Sequence, residues 1–258
     1  NIQGPSFTIS TACSSGGDAI NMACMCIQSG KADVMIAVGA ESVLCPLVIY
    51  SLANAKSLSR RNDTPKTASR PFDITRDGFV IGEGGGALVI ETEAHALARG
   101  AKIYAEIKSC GNTSDAYHVT APHPEGRGAI ACMKQALSDA KLSPSDIGYI
   151  NAHGTATNKG DAVEIEAINN IFTDKLPFVS STKGATGHMM GAGGITETIA
   201  CIKTIETGII PPTINLNEVG PECSGVDLVA NTAKKAEINY AMSNAFGFGG
   251  QNSSVIVG

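Results

Sequence analysis

Phe7-Thr8-Ile9-Ser10-Thr11-Ala12-Cys13-Ser14-Ser15-Gly16-Gly17-Asp18-Ala19-Ile20 reads as a strand, a tight turn and a helix. Cys13 falls where that helix is expected to begin. N–H groups in a first helical turn have no intrahelical partner, and the dipole there favours negative charge. The position is therefore expected to lower the pKa of Cys13 and raise its thiolate fraction. The small residues that follow leave room for a substrate to approach closely. A buried cysteine is more commonly inert core, so a nucleophile here needs partners from elsewhere in the chain.

Outward from this unit, strand-like and helix-like segments alternate. Helix 13–29 precedes strand 34–38, and a polar excursion with Pro65 and Pro71 covers 56–78. Strand 86–91 closes the first series. A second opens at 103–111, with helix 127–140, strand 147–152, helix 160–172, strand 177–181 and helix 188–207. The tail reads as strands near 226–230, 240–246 and 254–257. This order argues for an α/β fold with a mostly parallel sheet covered by helices. Cys13-Ser14-Ser15-Gly16-Gly17 and Gly187-His188-Met189-Met190-Gly191-Ala192-Gly193-Gly194 each open a small-residue helix, and a duplicated fold would bring the two starts together.

The chain has 258 residues, 43% hydrophobic, 17% charged, with 29 glycines and no tryptophan. Those values suit one large α/β domain or two fused halves. The net charge of −5 gives no support for nucleic-acid binding. Lys56, Arg60, Arg61, Lys66 and Arg70 form one basic cluster, either a solvated loop or a docking patch for an acidic partner. No apolar run approaches the roughly 18–20 residues that span a membrane. Among eight cysteines there is no Cys-x-x-Cys pair, and no His/Cys group at zinc spacing, so no metal is expected. Cys24, Cys26, Cys132 and Cys201 fit apolar helical patterns, which points to a reducing cytoplasm or organelle matrix. The first residue is Asn1, so the natural polypeptide is expected to extend further.

His153 lies in Asn151-Ala152-His153-Gly154-Thr155-Ala156-Thr157-Asn158-Lys159-Gly160-Asp161, directly after a predicted strand. Reactive groups in α/β folds gather at the carboxyl ends of strands. Ser180-Ser181-Thr182-Lys183-Gly184-Ala185-Thr186-Gly187-His188 adds a lysine and a second histidine. It lacks the order of a phosphate-binding loop, and Lys183 is either solvated or hydrogen-bonded near His188. Asn244-Ala245-Phe246-Gly247-Phe248-Gly249-Gly250-Gln251-Asn252 is either a hairpin turn or a mobile gate presenting N–H groups to an oxyanion. Asn112 to His118 reads as a loop, with His95, His118 and His123 as surface residues.

Together these segments resemble the β-ketoacyl-acyl-carrier-protein synthases, and most closely their synthase II type. The resemblance includes Thr11-Ala12-Cys13-Ser14-Ser15-Gly16, Ser69-Arg70-Pro71-Phe72-Asp73, Arg76-Asp77-Gly78-Phe79-Val80 and Gly82-Glu83-Gly84. It continues through Asn151-Ala152-His153-Gly154-Thr155, Lys183, Gly187-His188, Pro211-Pro212-Thr213-Ile214-Asn215 and Phe246-Gly247-Phe248-Gly249-Gly250. It implies the thiolase-like fold, a duplicated αβαβα sandwich working as a homodimer. Residues 1–100 would be the remainder of an N-terminal half carrying the nucleophile, and 101–258 the C-terminal half. Two departures stand out. The family carries a long portion ahead of the nucleophile, expected here as a missing N-terminal partner segment, and Gln251 stands where the family usually has Thr.

The resemblance also implies roles. Cys13 is the acyl-accepting nucleophile, His153 and His188 stabilise the malonyl enolate, and Lys183 supports charge with Glu197 as its partner. The N–H groups of Cys13 and Phe248, within the Gly247–Gly249 gate, form the oxyanion site. Thr155 and Thr157 bond the phosphopantetheine arm of acyl carrier protein, and no separate cofactor is expected. A degradative thiolase would need a second cysteine near the glycine loop, where Phe248 stands. A polyketide ketosynthase domain shares the Cys-His-His set, and a catalytically incompetent partner subunit shares the fold without its nucleophile.

Overall fold

The computed structural model describes residues 2–258. The strands are β1 (Val34–Glu41), β2 (Gly84–Glu91), β3 (Ile107–Ser114), β4 (Ile147–Asn151), β5 (Phe178–Ser180), β6 (Ile209–Ile210), β7 (Asp227–Leu228), β8 (Lys234–Lys235), β9 (Tyr240–Phe246) and β10 (Gln251–Val257). The helices are α1 (Ser15–Gln28), α2 (Pro46–Asn54), α3 (Glu93–Ala98), α4 (Arg127–Ala140), α5 (Asn158–Ile171), α6 (Lys183–Thr186) and α7 (Gly193–Thr207).

The main sheet runs β3-β10-β9-β4-β5-β7. It is mixed, with most of its pairs parallel as expected: β9, β4, β5 and β7 pair in parallel, while β10 is antiparallel to both β3 and β9. The reason is local. β9 and β10 are joined by the short glycine loop, and a hairpin forces antiparallel pairing, whereas the parallel neighbours are separated by connections that carry helices. β4, β9 and β10 are buried along nearly their whole length, as strands covered on both faces must be. α4 packs on β3 and β10 and against α5, and on the other side α1 and α7 pack against β10 and β9.

α1 and α7 also carry the antiparallel β1–β2 ribbon on their far side. Met35, Ala37 and Gly39 turn inward, while Val34, Ile36, Val38 and Val89 are exposed. The layers are thus ribbon, helix pair, main sheet, helix pair. α2 buries none of its residues, with Leu47 and Tyr50 open to solvent.

The two glycine-rich helix starts do meet. A Cβ on Gly16 would lie 2.7 Å from the Ile195 nitrogen, and one on Gly194 would lie 2.4 Å from the Gly17 nitrogen. Only hydrogen at these positions lets the backbones approach so closely.

Three local expectations are corrected. Residues 7–11 form no strand, because they have no ladder partner among the described residues. Cys13 sits in a 3-10 turn (Ala12–Ser14), and α1 begins only at Ser15. The expected helix 188–207 is split: His188 bridges Ile81 in extended form, Met190–Ala192 make a 3-10 turn, and α7 follows. α2 and α3 are not legible in the sequence, since their apolar residues are too few or too uniform to show a period.

Candidate active site

Cys13 is buried, and the chain turns sharply into it through Ala12, whose φ of 52° is unusual for a non-glycine residue. Asp18, in the first turn of α1, holds this turn in place. Its Oδ2 accepts from Thr11 Oγ1 at 2.5 Å and Ser14 Oγ at 3.2 Å, and its Oδ1 accepts from Asn112 Nδ2 at 2.6 Å. The Cys13 sulfur lies 3.0 Å from His188 Nε2.

The expected lowering of the thiol pKa does not occur. Burial pushes Cys13 up to about 11, against the Phe248 N–H and the Lys183 charge, which both act downward. Desolvation of the buried sulfur outweighs a helix dipole that starts two residues later.

His188 is fixed through its backbone: its N–H donates to Val80 O at 2.7 Å and its carbonyl accepts from Gly82 N at 2.9 Å. The Phe79 ring meets it edge-on at 5.2 Å. His153 follows β4. Its N–H and that of Gly154 donate to the two Glu164 oxygens at 2.8 and 2.7 Å. The rings of His153 and His188 meet edge-to-face with centroids 5.4 Å apart. Burial, then the Lys183 charge, hold both imidazoles well below the ordinary histidine pKa, so both are neutral. Among the described residues neither Nδ1 has a hydrogen-bond partner.

Lys183 opens α6 and is 2% exposed. Its ammonium donates to the equally buried Glu197 of α7. The pair lies behind the cavity wall rather than on it. Burial pushes the Glu197 carboxyl up, and Lys183 opposes this.

The glycine loop is the hairpin turn between β9 and β10, and it also touches the nucleophile. Gly247 N donates to Gln251 O at 2.6 Å, and a Cβ on Gly247 would lie 3.1 Å from the Cys13 nitrogen. Gly249, with φ 87°, points away and donates to Val119 O at 2.6 Å. A cavity of about 650 Å³ is lined by Cys13, His153, His188, Thr155, Thr157, Gly247 and Phe248. The two threonine hydroxyls are 3.1 Å apart. Gly249, Lys183 and Glu197 are off this wall.

Sequence reasoning missed two buried carboxylates of α5, Glu164 behind His153 and Asp161 behind Ala156. Glu164 and Asp161 stand three residues apart on α5, on one helical face. Asp161 accepts from Phe72 N at 2.8 Å and Ala156 N at 3.1 Å, with Arg76 Nε at 3.5 Å. Burial pushes Glu164 up to about 7 and Asp161 up to about 6. The acidic pair in the first turns of a helix after a strand–loop was the available signal. The basic cluster is also smaller than its sequence suggested: Arg70 is buried on Asp73 and Thr75, and Arg61 reaches Asp77 and Thr75.

The geometry can present a thiol to an acyl carbon, two neutral imidazoles to an oxygen, and N–H groups to a developing oxyanion. Comparison with known proteins gives this arrangement its context. The profile of the beta-ketoacyl synthase N-terminal domain matches residues 1–96, and that of the C-terminal domain matches residues 104–217. The 3-oxoacyl-[acyl-carrier-protein] synthase 2 of Rhizobium meliloti is 48% identical over 99% of this chain and 61% of its own length. A putative mitochondrial 3-oxoacyl-[acyl-carrier-protein] synthase of Schizosaccharomyces pombe is 48% identical over 96% of this chain and 60% of its own. Among solved structures, a beta-ketoacyl synthase from Burkholderia phymatum superposes with a TM-score of 0.92 at 42% identity, over 96% of this chain and 60% of that one. A ketosynthase in complex with its type II polyketide acyl-carrier protein gives 0.93 at 37% identity, over 96% of this chain and 62% of that one. The chain thus spans about three fifths of the length of the relatives it matches.

Proposed function

This chain belongs to the β-ketoacyl synthase family, and from that premise we propose that it carries the catalytic centre of a decarboxylative Claisen condensation in fatty-acid elongation. The observation that carries the reading is the 3.0 Å approach of Cys13 Sγ to His188 Nε2, with the His153 ring beside it.

In the first half-reaction Cys13 sulfur attacks the thioester of an acyl group on acyl carrier protein. The thiol proton passes by way of His188 to the departing phosphopantetheine sulfur, and acyl-Cys13 remains. The N–H groups of Cys13 and Phe248 hold the oxyanion; losing one such donor typically costs about 3–4 kcal/mol. Malonyl-acyl carrier protein then enters, its arm bonded by Thr155 and Thr157. Neutral His153 and His188 donate to the thioester oxygen as the carbon–carbon bond to carbon dioxide breaks. That electron pair becomes an enolate, which attacks the acyl-Cys13 carbon and expels the sulfur. The product is β-ketoacyl-acyl carrier protein. Lys183, neutralised by Glu197, acts through the field it sets around both rings and touches no reacting atom.

Residues 1–100 are read as the remainder of the first half of a duplicated sandwich, and 101–258 as the second half. The uncovered ribbon face with Ile36, Val38 and Val89 suits a further segment of the same protein, and α2 suits contact with a second copy. The exposed Lys56, Arg60 and Lys66 suit an acidic carrier protein. No cofactor beyond the carrier's arm is required, and cytoplasm or an organelle matrix is the expected compartment. Among the described residues no helix is long and apolar enough to cross a membrane.

The test is made on the full-length protein with acyl- and malonyl-acyl carrier protein. Cys13→Ala abolishes β-ketoacyl product with the fold retained. Cys13→Gln still releases carbon dioxide from malonyl-acyl carrier protein, because both imidazoles and the N–H donors remain. A Cys13→Ala protein that still condenses, or a folded Cys13→Gln protein that releases no carbon dioxide, contradicts this division of labour.

A further inference from the structure

The three reactive side chains have a second competence that their sequence spacing hides. Cys13 Sγ and one ring nitrogen each of His153 and His188 all lie within 4.8 Å of one another. We propose that these three atoms form a site for a single thiophilic divalent cation of the zinc class, whose binding reversibly blocks the nucleophile. The inference stands on the donor set and holds whichever acyl chemistry the cavity performs.

One sulfur and two imidazole nitrogens form the three-ligand set of an open zinc site, with the fourth tetrahedral position left to water. Zinc–sulfur and zinc–nitrogen bonds of about 2.3 and 2.0–2.1 Å require donor separations of about 3.3–3.6 Å. Cys13 Sγ and His188 Nε2, now 3.0 Å apart, must open slightly, and the longer sides of the triangle must close. Rotation of the side chains supplies both adjustments. All three residues face the cavity of about 650 Å³, so an ion has a path to them.

Charge and donor type choose the ion. No carboxylate belongs to the donor group. Magnesium and calcium, which take oxygen ligands, therefore find no oxygen donor among these three atoms. The nearest buried cation, Lys183, is paired with Glu197, which reduces the repulsion that the approaching ion meets. On binding, the thiol proton leaves to solvent as the sulfur–metal bond forms, while the two neutral imidazoles donate lone pairs. No electron is transferred. Neither Nδ1 has a protein partner among the described residues, which suits an exchangeable rather than a resident ion. A resident metal's histidines give their second nitrogen to a carboxylate or carbonyl, and losing that support typically costs 10–100-fold in affinity.

The experiment uses the full-length protein, with zinc sulfate and cadmium chloride as probes. Alkylation of Cys13 by iodoacetamide, followed by peptide mass spectrometry, slows at least tenfold in saturating zinc and recovers on adding EDTA. Cadmium produces a thiolate-to-metal absorption with one equivalent. That band is lost in Cys13→Ser, and binding weakens tenfold or more in His153→Asn and in His188→Asn. Unchanged alkylation in zinc overturns the proposal. So does a cadmium band that persists in Cys13→Ser, which would place the ion on other cysteines, or equal affinity in both histidine variants. The alkylation arm needs only the wild-type protein and decides the matter if a variant fails to fold. Neither arm requires condensation, so failure here and failure of the proposed function are separable.

Discussion

Cys13 Sγ and His188 Nε2, 175 residues apart in sequence, lie 3.0 Å apart in space. The contact is built from two approaches that only small residues allow: Gly16 against the backbone of Gly194 and Ile195, and Gly247 against the backbone at Cys13. His188 reaches it in an extended bridge to Ile81, so its ring is aimed by backbone hydrogen bonds rather than by a helix.

Cys13 is a protonated thiol at neutral pH, held up to about 11 by burial. The thiolate is the reactive form. In the protein without acyl group, alkylation of Cys13 should therefore rise about tenfold per pH unit between about pH 7 and 10. A rate that levels off near pH 7 would mean that the site depresses the thiol pKa.

His153 and His188 are both held below the ordinary histidine pKa by burial and the Lys183 charge. Each disfavours its imidazolium form, so acidification must go past the usual range before either ring takes a proton. Ring resonances of labelled histidine, assigned by substitution, should stay at neutral positions down to about pH 6. Movement centred near the ordinary histidine value contradicts the field described here.

Lys183 and Glu197 are each 2% exposed and pair with one another. Removing one partner strands a buried charge, at a cost of about 3–5 kcal/mol. Lys183→Met should lower the melting temperature by roughly ten degrees or more. The double variant Lys183→Met with Glu197→Leu should recover most of the loss. If it melts no higher than the single variant, the pair is not the source of the effect.

Glu164 accepts the N–H groups of His153 and Gly154 with its two oxygens. Glu164→Ala leaves two buried donors without an acceptor, each costing about 1–3 kcal/mol. It should lower kcat about tenfold or more while leaving KM for the acyl donor nearly unchanged, and Glu164→Gln should restore part of the loss. An altered KM with normal kcat would place Glu164 outside His153 positioning.

Gly194→Ala puts a methyl group 2.4 Å from the Gly17 nitrogen. Backbone cannot yield as a flexible side chain can, so the helix starts must separate, at a typical overpacking cost of 1–3 kcal/mol or more. Both thermal stability and Cys13 alkylation kinetics should change together. A change in stability alone would show that Cys13 does not depend on this crossing.

Several parts of this protein are legible in its sequence. The helix expected at 127–140 is α4 (Arg127–Ala140), because its apolar residues recur at the helical period against a polar face. The strand–loop position of His153 and the small-residue opening after Cys13 were legible for the same reason: local pattern and local chemistry coincide there. The three-strand stretch at the tail was visible as apolar runs. Its antiparallel half was not, since pairing direction depends on a connection's reach rather than on the strand's own residues.

What the sequence by itself determined was the inventory: one thiol, two histidines and a lysine, each beside glycines and small hydroxyl residues, in an alternating α/β chain. What only the tertiary structure decided was their electrostatic state and their company. The thiol pKa is raised rather than lowered, Glu164 stands behind His153 and Asp161 behind Ala156, and Arg70 turns inward onto Asp73. Each of these outcomes is set by desolvation and by groups distant in the chain. Burial is a property of the folded assembly of elements, and no residue carries it alone.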